Sequence, residues 1–128
     1  MRKLLYLVLT GLLAACSAGP SPSDVAAQAA KVYYENLLKG DYAAFVDGHY
    51  RPDSIPRSYR EQLIANAKMF IGQQQTERRG IKEIRIVRAK ADTALHVANV
   101  FMMFAYGDST NEEVLIPMVE HKGVWYLR

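Results

Sequence analysis

Cysteine is nearly absent: Cys16 is the only one among 128 residues. No intramolecular disulfide can form, and a cysteine-built metal site is excluded with it. One-signed charge is also missing. Arg2 and Lys3 belong to an N-terminal segment that reads as removable. Without them 14 basic residues (16 less two) face 13 acidic ones. A near-neutral domain has no nucleic-acid footprint. No apolar run is long enough to span about 30 Å of hydrocarbon, which takes roughly 20 residues. There is no Gly-x-Ser-x-Gly elbow and no phosphate-cradling glycine loop. His49, His96 and His121 lie far apart without any short metal-ligand spacing, so no metal and no cofactor is expected.

What is present begins with an address. Arg2 and Lys3 form a short positive start, and Leu4 to Ala15 is an apolar run of signal-peptide length. The run ends in Leu13-Ala14-Ala15-Cys16, which resembles the lipobox of bacterial lipoproteins. That resemblance implies removal of residues 1–15 and lipid on the Cys16 thiol and amine. Each buried CH₂ contributes about 0.8 kcal/mol, so two or three acyl chains hold a protein firmly. The expected location is the bacterial cell envelope, lipid-anchored outside the cytoplasm. Ser17 in place of an aspartate favours the outer over the inner membrane. Residues 16–23, rich in Ser, Ala, Gly and Pro, read as a flexible tether. Its reach is roughly 25 Å, which keeps the domain near the bilayer.

Residues 24–128 read as one domain. Half of the sequence is hydrophobic, so a core can form without cross-links. Ser21, Pro22 and Asp24 fit a capped helix start. Val25, Ala29, Val32, Tyr33 and Leu37 recur at helical spacing and predict the buried face. Gly40 stops that helix and Asp41 caps a short second one ending at Gly48. Pro56 opens a third, with Tyr59, Leu63, Ala67, Phe70 and Ile71 on one face and Gly80 at its end. The period then changes. Ile81 to Ala89 reads as a strand, Ala91-Asp92 as a turn, and Thr93 to Tyr106 as a long strand apolar on both faces, expected to be covered on both sides. Gly107-Asp108-Ser109 signals a hairpin. Glu113 to Glu120 continues the sheet, with Pro117 at a bulge or edge. His121-Lys122-Gly123 turns into a last strand, Val124 to Arg128. Helices followed by consecutive antiparallel strands define an α+β fold.

This order of signals resembles the NTF2-like superfamily, in particular the small bacterial lipoprotein domains known as DUF4878. The residues that carry it are Val32 to Tyr42, Ile81-Lys82-Glu83-Ile84, Thr93 to Val97, Tyr106-Gly107-Asp108, and Val119 to Leu127 with Gly123 and Trp125. The resemblance implies a cone: three N-terminal helices packed on a curved antiparallel sheet of about four strands, enclosing a pocket. Members include isomerases, dehydratases and hydrolases beside non-catalytic binding and dimerisation modules, so fold alone does not assign a reaction.

Acid–base chemistry in a cone needs a histidine or carboxylate among apolar residues. Asp41 and Asp47 are explained by helix caps and surface positions. His96 and Asn99 are the polar interruptions of the long strand, but a separation of three puts them on opposite faces. No catalytic residue is therefore singled out. The residues expected to line a ligand pocket are Tyr33, His96, Asn99, Phe101 and Tyr106. Tyrosine can pack its ring while its hydroxyl meets a ligand, and the neighbouring methionines adapt to variable apolar shapes. The expectation is a membrane-tethered, non-catalytic module that binds a small apolar molecule or an envelope protein, with homodimerisation through an open sheet face as one form of the latter. The alternative is an isomerase- or hydrolase-like envelope enzyme acting on a small lipophilic substrate in the pocket.

Overall fold

The structure, a computed structural model, describes residues 19–128. The segment 1–15 expected to be a signal peptide, Cys16 and the first part of the expected tether lie outside the described residues. Three helices precede four strands: α1 (Pro22–Leu38), α2 (Tyr42–Asp47), α3 (Arg57–Arg78), β1 (Ile81–Asp92), β2 (Val97–Tyr106), β3 (Asn111–His121) and β4 (Val124–Leu127). No described helix is long and apolar enough to cross a membrane.

The first helix starts where its capping residues predict. Ser21 Oγ accepts from the Asp24 amide at 3.2 Å, and the Asp24 carboxylate reaches back to the Ser21 amide at 3.4 Å. Its buried face is the expected one only in part: Leu37 is buried and Ala29 and Tyr33 pack against the core. Ala26, Ala27, Ala30 and Leu37 are buried, whereas Val25 and Val32 are 42% and 54% exposed. Alanine carries no bulk beyond Cβ, so this face lets the helix backbone lie close on the sheet. A reading weighted by side-chain size picks the neighbouring stripe instead. Ser23 Oγ accepts from the Ala91 amide at 2.9 Å and pins the start of the helix to β1.

Gly40 adopts a positive φ of 88° after α1, and Asp41 caps α2 by accepting from the Ala44 amide at 3.1 Å. At Gly48 a side chain would collide with the ring of Tyr33, so glycine is required by close approach. The chain then runs beside the edge of β4. The Leu127 amide donates to Gly48 O at 2.8 Å and the Tyr50 amide to Leu127 O at 2.7 Å, a short parallel bridge.

The four strands form an antiparallel meander in the order β1-β2-β3-β4. Register shifts in β1 lie between Ile81 and Glu83 and between Ile86 and Arg88. Such bulges bend a strand and increase its twist. Two expectations change. First, β1 continues to Asp92, and Thr93 to His96 form the turn, with the Asp92 carboxylate accepting from the Leu95 amide at 3.1 Å. The long strand therefore begins at Val97, not Thr93. Second, β2 is covered on one side only. Ala98, Val100, Met102, Phe104 and Tyr106 are buried on the helix side. Asn99 on the opposite face is exposed, and Phe101, Met103 and Ala105 are half-buried. Pro117 pairs with Asn99, and its carbonyl accepts from the Arg128 amide at 3.1 Å on the β4 side. A strand residue's nitrogen and carbonyl point to the same edge, so its missing N–H costs no bond to β2.

Candidate functional site

The inward parity of the sheet and the position of α3 create the site. Phe104 and Tyr106 point inward from β2. Glu112, opposite Phe104, and Val114, opposite Met102, share that face from β3. The expected apolar stripe of α3 does not close over them. Only Ala67 is buried, while Phe70 is 38% and Tyr59 52% exposed, because the helix packs chiefly on α2 and leaves a gap above the sheet. That gap is a cavity of about 510 Å³, within the usual range for small-molecule sites.

Its body is apolar and aromatic, built by Tyr34, Leu37, Phe45, Phe70, Phe104 and Val114. Tyr34 is wedged between two rings, edge-on to Phe45 at 5.1 Å and tilted against Phe104 at 5.6 Å. Burial holds the Tyr34 phenol above its ordinary pKa of 10.0.

One end is polar. Glu112 Oε2 accepts from Arg78 Nη1 at 2.8 Å and from the Tyr106 hydroxyl at 3.1 Å, and the Arg78 guanidinium lies 4.4 Å from the centre of the Tyr106 ring. Burial raises the Tyr106 pKa, and the bond to Glu112 adds to it. Glu77 and Gln74 complete this end. Gln74 Oε1 is buried without a hydrogen-bond partner among the described residues. The geometry of this end is set from below. The Gly107 amide donates to Gly80 O at 2.9 Å and the Asp108 amide to Arg78 O at 3.0 Å. A side chain at Gly107 would strike the Arg79 carbonyl, so this glycine lets the β2–β3 hairpin touch the end of α3.

A second cleft of about 410 Å³ lies between the loop after α2 and the end of the sheet. Three of its charged groups, Asp47, Arg51 and Arg60, are engaged structurally. Arg60 grips Asp47 through two bonds of 2.9 and 2.8 Å, tying α3 to α2 and holding the Asp47 carboxyl below its ordinary range. Arg51 donates to Val46 O at 2.8 Å at the end of α2. His49 Nδ1 lies 3.0 Å from Phe45 O, and burial pushes this imidazole below its ordinary pKa of 6.5.

The residues singled out from sequence are dispersed. Tyr106 lines the cavity. Tyr33, from α1, donates its hydroxyl to Trp125 O at 2.7 Å and so fastens α1 to β4. His96 stands in the β1–β2 turn at a φ of 55°, its side chain 62% exposed and 3.0 Å from Glu120. Asn99 and Phe101 face away from the helices, and Phe101 lies under Arg88 at 4.0 Å. The structure thus keeps only Tyr106 at the cavity. The lining residues missed are Tyr34, Phe45, Phe70, Gln74, Arg78 and Glu112. One signal was available: Glu112 shares its parity with Val114, Ile116 and Met118, so a carboxylate at a core-facing position was visible. Gln74 and Arg78 carry none, because their role depends on where α3 sits. Among the described residues no three ligating side chains cluster to hold a metal.

No protein-family model matches the chain, and no curated protein matches it in sequence. Among solved structures it is similar to a Campylobacter jejuni protein described as a candidate NTF2-like transpeptidase, with a TM-score of 0.60 and 12% identity over 77% of this chain and 92% of the other. At that identity the likeness speaks for an NTF2-like fold alone. The three helices followed by a four-stranded antiparallel sheet agree with it.

Proposed function

We propose that the chain is a lipid-anchored module of the bacterial cell envelope that binds a small apolar molecule in the cavity between α3 and the sheet, without turning it over. The observation that carries the reading is the cavity itself: about 510 Å³ walled by Tyr34, Leu37, Phe45, Phe70, Phe104 and Val114. Of the two carboxylates in its lining, Glu77 and Glu112, the latter is engaged by Arg78 and Tyr106. The lipobox-like Leu13-Ala14-Ala15-Cys16 supports the anchor and the location, and the order of motifs resembles that of DUF4878-type lipoprotein domains. Ser17 continues to favour the outer membrane.

The similar Campylobacter jejuni protein raises transpeptidation as a reaction. Acyl transfer of that kind proceeds through a nucleophile such as Ser, Cys or Thr with an adjacent base. None of these three residue types lines this cavity, and neither does a histidine. An isomerase-like reading would rest on Glu112 with Tyr106 as its acid–base pair, and both are tied to a partly exposed ion pair. A binding role suits this lining better. A protein partner is the second reading, favoured by Phe101, Met103 and the half-exposed Leu115 on the open sheet face.

Native mass spectrometry of the protein released gently from its own membranes tests the proposal. The expected result is a reproducible added mass of a small apolar compound. An empty protein, captured repeatedly as a dimer, overturns ligand binding and moves function to the open sheet face.

A further inference from the structure

The length of chain between the proposed anchor and the domain limits how the domain can meet a bilayer. Ser21 caps α1, and the backbone from Cys16 to Ser21 spans at most about 18 Å when fully extended. A domain of this size is roughly 33 Å across. With lipid on Cys16, the domain cannot stand on the end opposite the start of α1. It can stand on the end that carries it.

Topology fixes what else lies at that near end. Ser23 Oγ accepts from the Ala91 amide at 2.9 Å, which sets the start of α1 beside the end of β1. In an antiparallel meander alternate turns share one end of the sheet, so the β1–β2 turn, Thr93 to His96, and the β3–β4 turn at Lys122-Gly123 both lie there. The β2–β3 hairpin and the Arg78–Glu112 pair lie at the opposite end.

The near end is apolar where turns are ordinarily polar. Turns favour Gly, Pro, Asn, Asp and Ser. Leu95, in the β1–β2 turn, is 69% exposed, more than any other large hydrophobic side chain among the described residues. The Asp92 carboxylate accepts from the Leu95 amide at 3.1 Å and holds this part of the turn close to Ala91. Val25 in the first turn of α1 and Val124 at the start of β4 are exposed at the same end. A scattered apolar side chain needs no explanation, but these three share the end that the anchor can bring to lipid. The charges there, Asp24, Asp92 and Glu120 against Lys90 and Lys122, hold no excess of cations. Contact with lipid at this end is therefore apolar and does not depend on anionic headgroups.

We propose that the β1–β2 turn is a second membrane contact, with Leu95 entering the boundary between headgroups and acyl chains and setting the orientation of the domain. The proposal rests on the lipid-anchored reading above. Because the anchor already holds the turn within reach, the contact is intramolecular, and a leucine too weak to recruit the protein by itself suffices to orient it. The β2–β3 hairpin then points away from the membrane.

The test uses the mature lipidated protein in phosphatidylcholine vesicles, which carry no net charge. With Cys16 acylated, Ala94→Cys supplies a free thiol for a nitroxide label beside an intact Leu95. Asn111→Cys, at the opposite end of the sheet, supplies the reference, and Thr93→Cys is a second label position should the first disturb the turn. The expected result is that the label at 94 loses collisions with a water-soluble nickel chelate and gains them with oxygen, relative to the same label on the unanchored Cys16→Ser protein. The label at 111 should stay equally open to the chelate on both. Adding Leu95→Ser should return the label at 94 to the chelate. If the label at 94 is as open on the anchored as on the unanchored protein, if labels at 94 and 111 are shielded alike, or if Leu95→Ser changes nothing, the turn contact is wrong while the anchor stands. If the mature protein carries no acyl mass and does not float with vesicles, the anchor itself fails and this proposal falls with it.

Discussion

His49 and Asp47 sit two positions apart and respond to acid in different windows. His49 is held below its ordinary pKa of 6.5, first by burial. Above pH 6.5 it is neutral whether folded or unfolded. As pH falls below that value the unfolded chain takes up the proton first, so stability declines until the folded pKa is passed. Asp47 is held below its ordinary value of 3.8, first by its bonds to Arg60. Its contribution is complete above pH 3.8 and is lost as pH falls through the lower, folded value. Denaturation midpoints measured across this range should show both declines. His49→Gln is expected to abolish the upper one and Asp47→Asn the lower. An unchanged upper decline in His49→Gln would show that the imidazole is not the group responsible. The two residues also mark what a sequence shows about single positions. A cap such as Asp41 is legible because its partner, the Ala44 amide, is three residues away. The bonds from Arg60 to Asp47, thirteen residues apart, and from Tyr33 to Trp125 O, ninety-two apart, become visible only after the chain folds.

Among the elements, α1 shows most plainly how a helix is seated. Ala26 and Ala30, both fully buried, face the sheet and hold the helix close to it. Replacing Ala30 by Leu should lower stability by about 1–3 kcal/mol through overpacking. In denaturant this is a shift of the midpoint at unchanged slope. The exposed Val32→Leu offers the contrast, with a change inside roughly 0.5 kcal/mol. If both variants behave alike, the buried face has been assigned wrongly. The start and stop of α1, the hairpin at Gly107-Asp108-Ser109 and the turn at Lys122-Gly123 were readable because local backbone chemistry specifies them. The turn between β1 and β2 was misplaced because Ala91-Asp92 carries an ordinary turn signal, whereas the sheet extends its pairing through Asp92 to Val97. The second face of β2 was misjudged for a related reason. Phe101 and Met103 look like core residues in composition, but among the described residues no helix lies over them.

The whole molecule joins two different surfaces to one proposed anchor. The cavity opens beneath a helix fixed at its two ends, by Arg60 with Asp47 and by Arg78 with Glu112, and sparsely packed between them. The tether would hold the domain near the bilayer, with the start of α1, pinned at Ala91, as its nearest element. Cys16→Ser is therefore expected to move the protein from the membrane fraction to the soluble fraction of the envelope while leaving the folded domain intact. Fractionation followed by circular dichroism checks both halves, and continued membrane retention would remove Cys16 as the anchor.

The bridge from Gly48 and Tyr50 to Leu127 has a consequence for how the protein is made. Synthesis runs from the amino end, so the three helices exist before any strand that could cover their faces. The meander can zip up hairpin by hairpin, since each strand pairs with its neighbour in the chain. The last fastenings of α1 and of the loop after α2 wait for Trp125 and Leu127, which supply the carbonyl for Tyr33 and the edge for Gly48 and Tyr50. The chain's last strand is thus a latch: only when it is in place are the first helix and the loop after α2 locked to the far edge of the sheet.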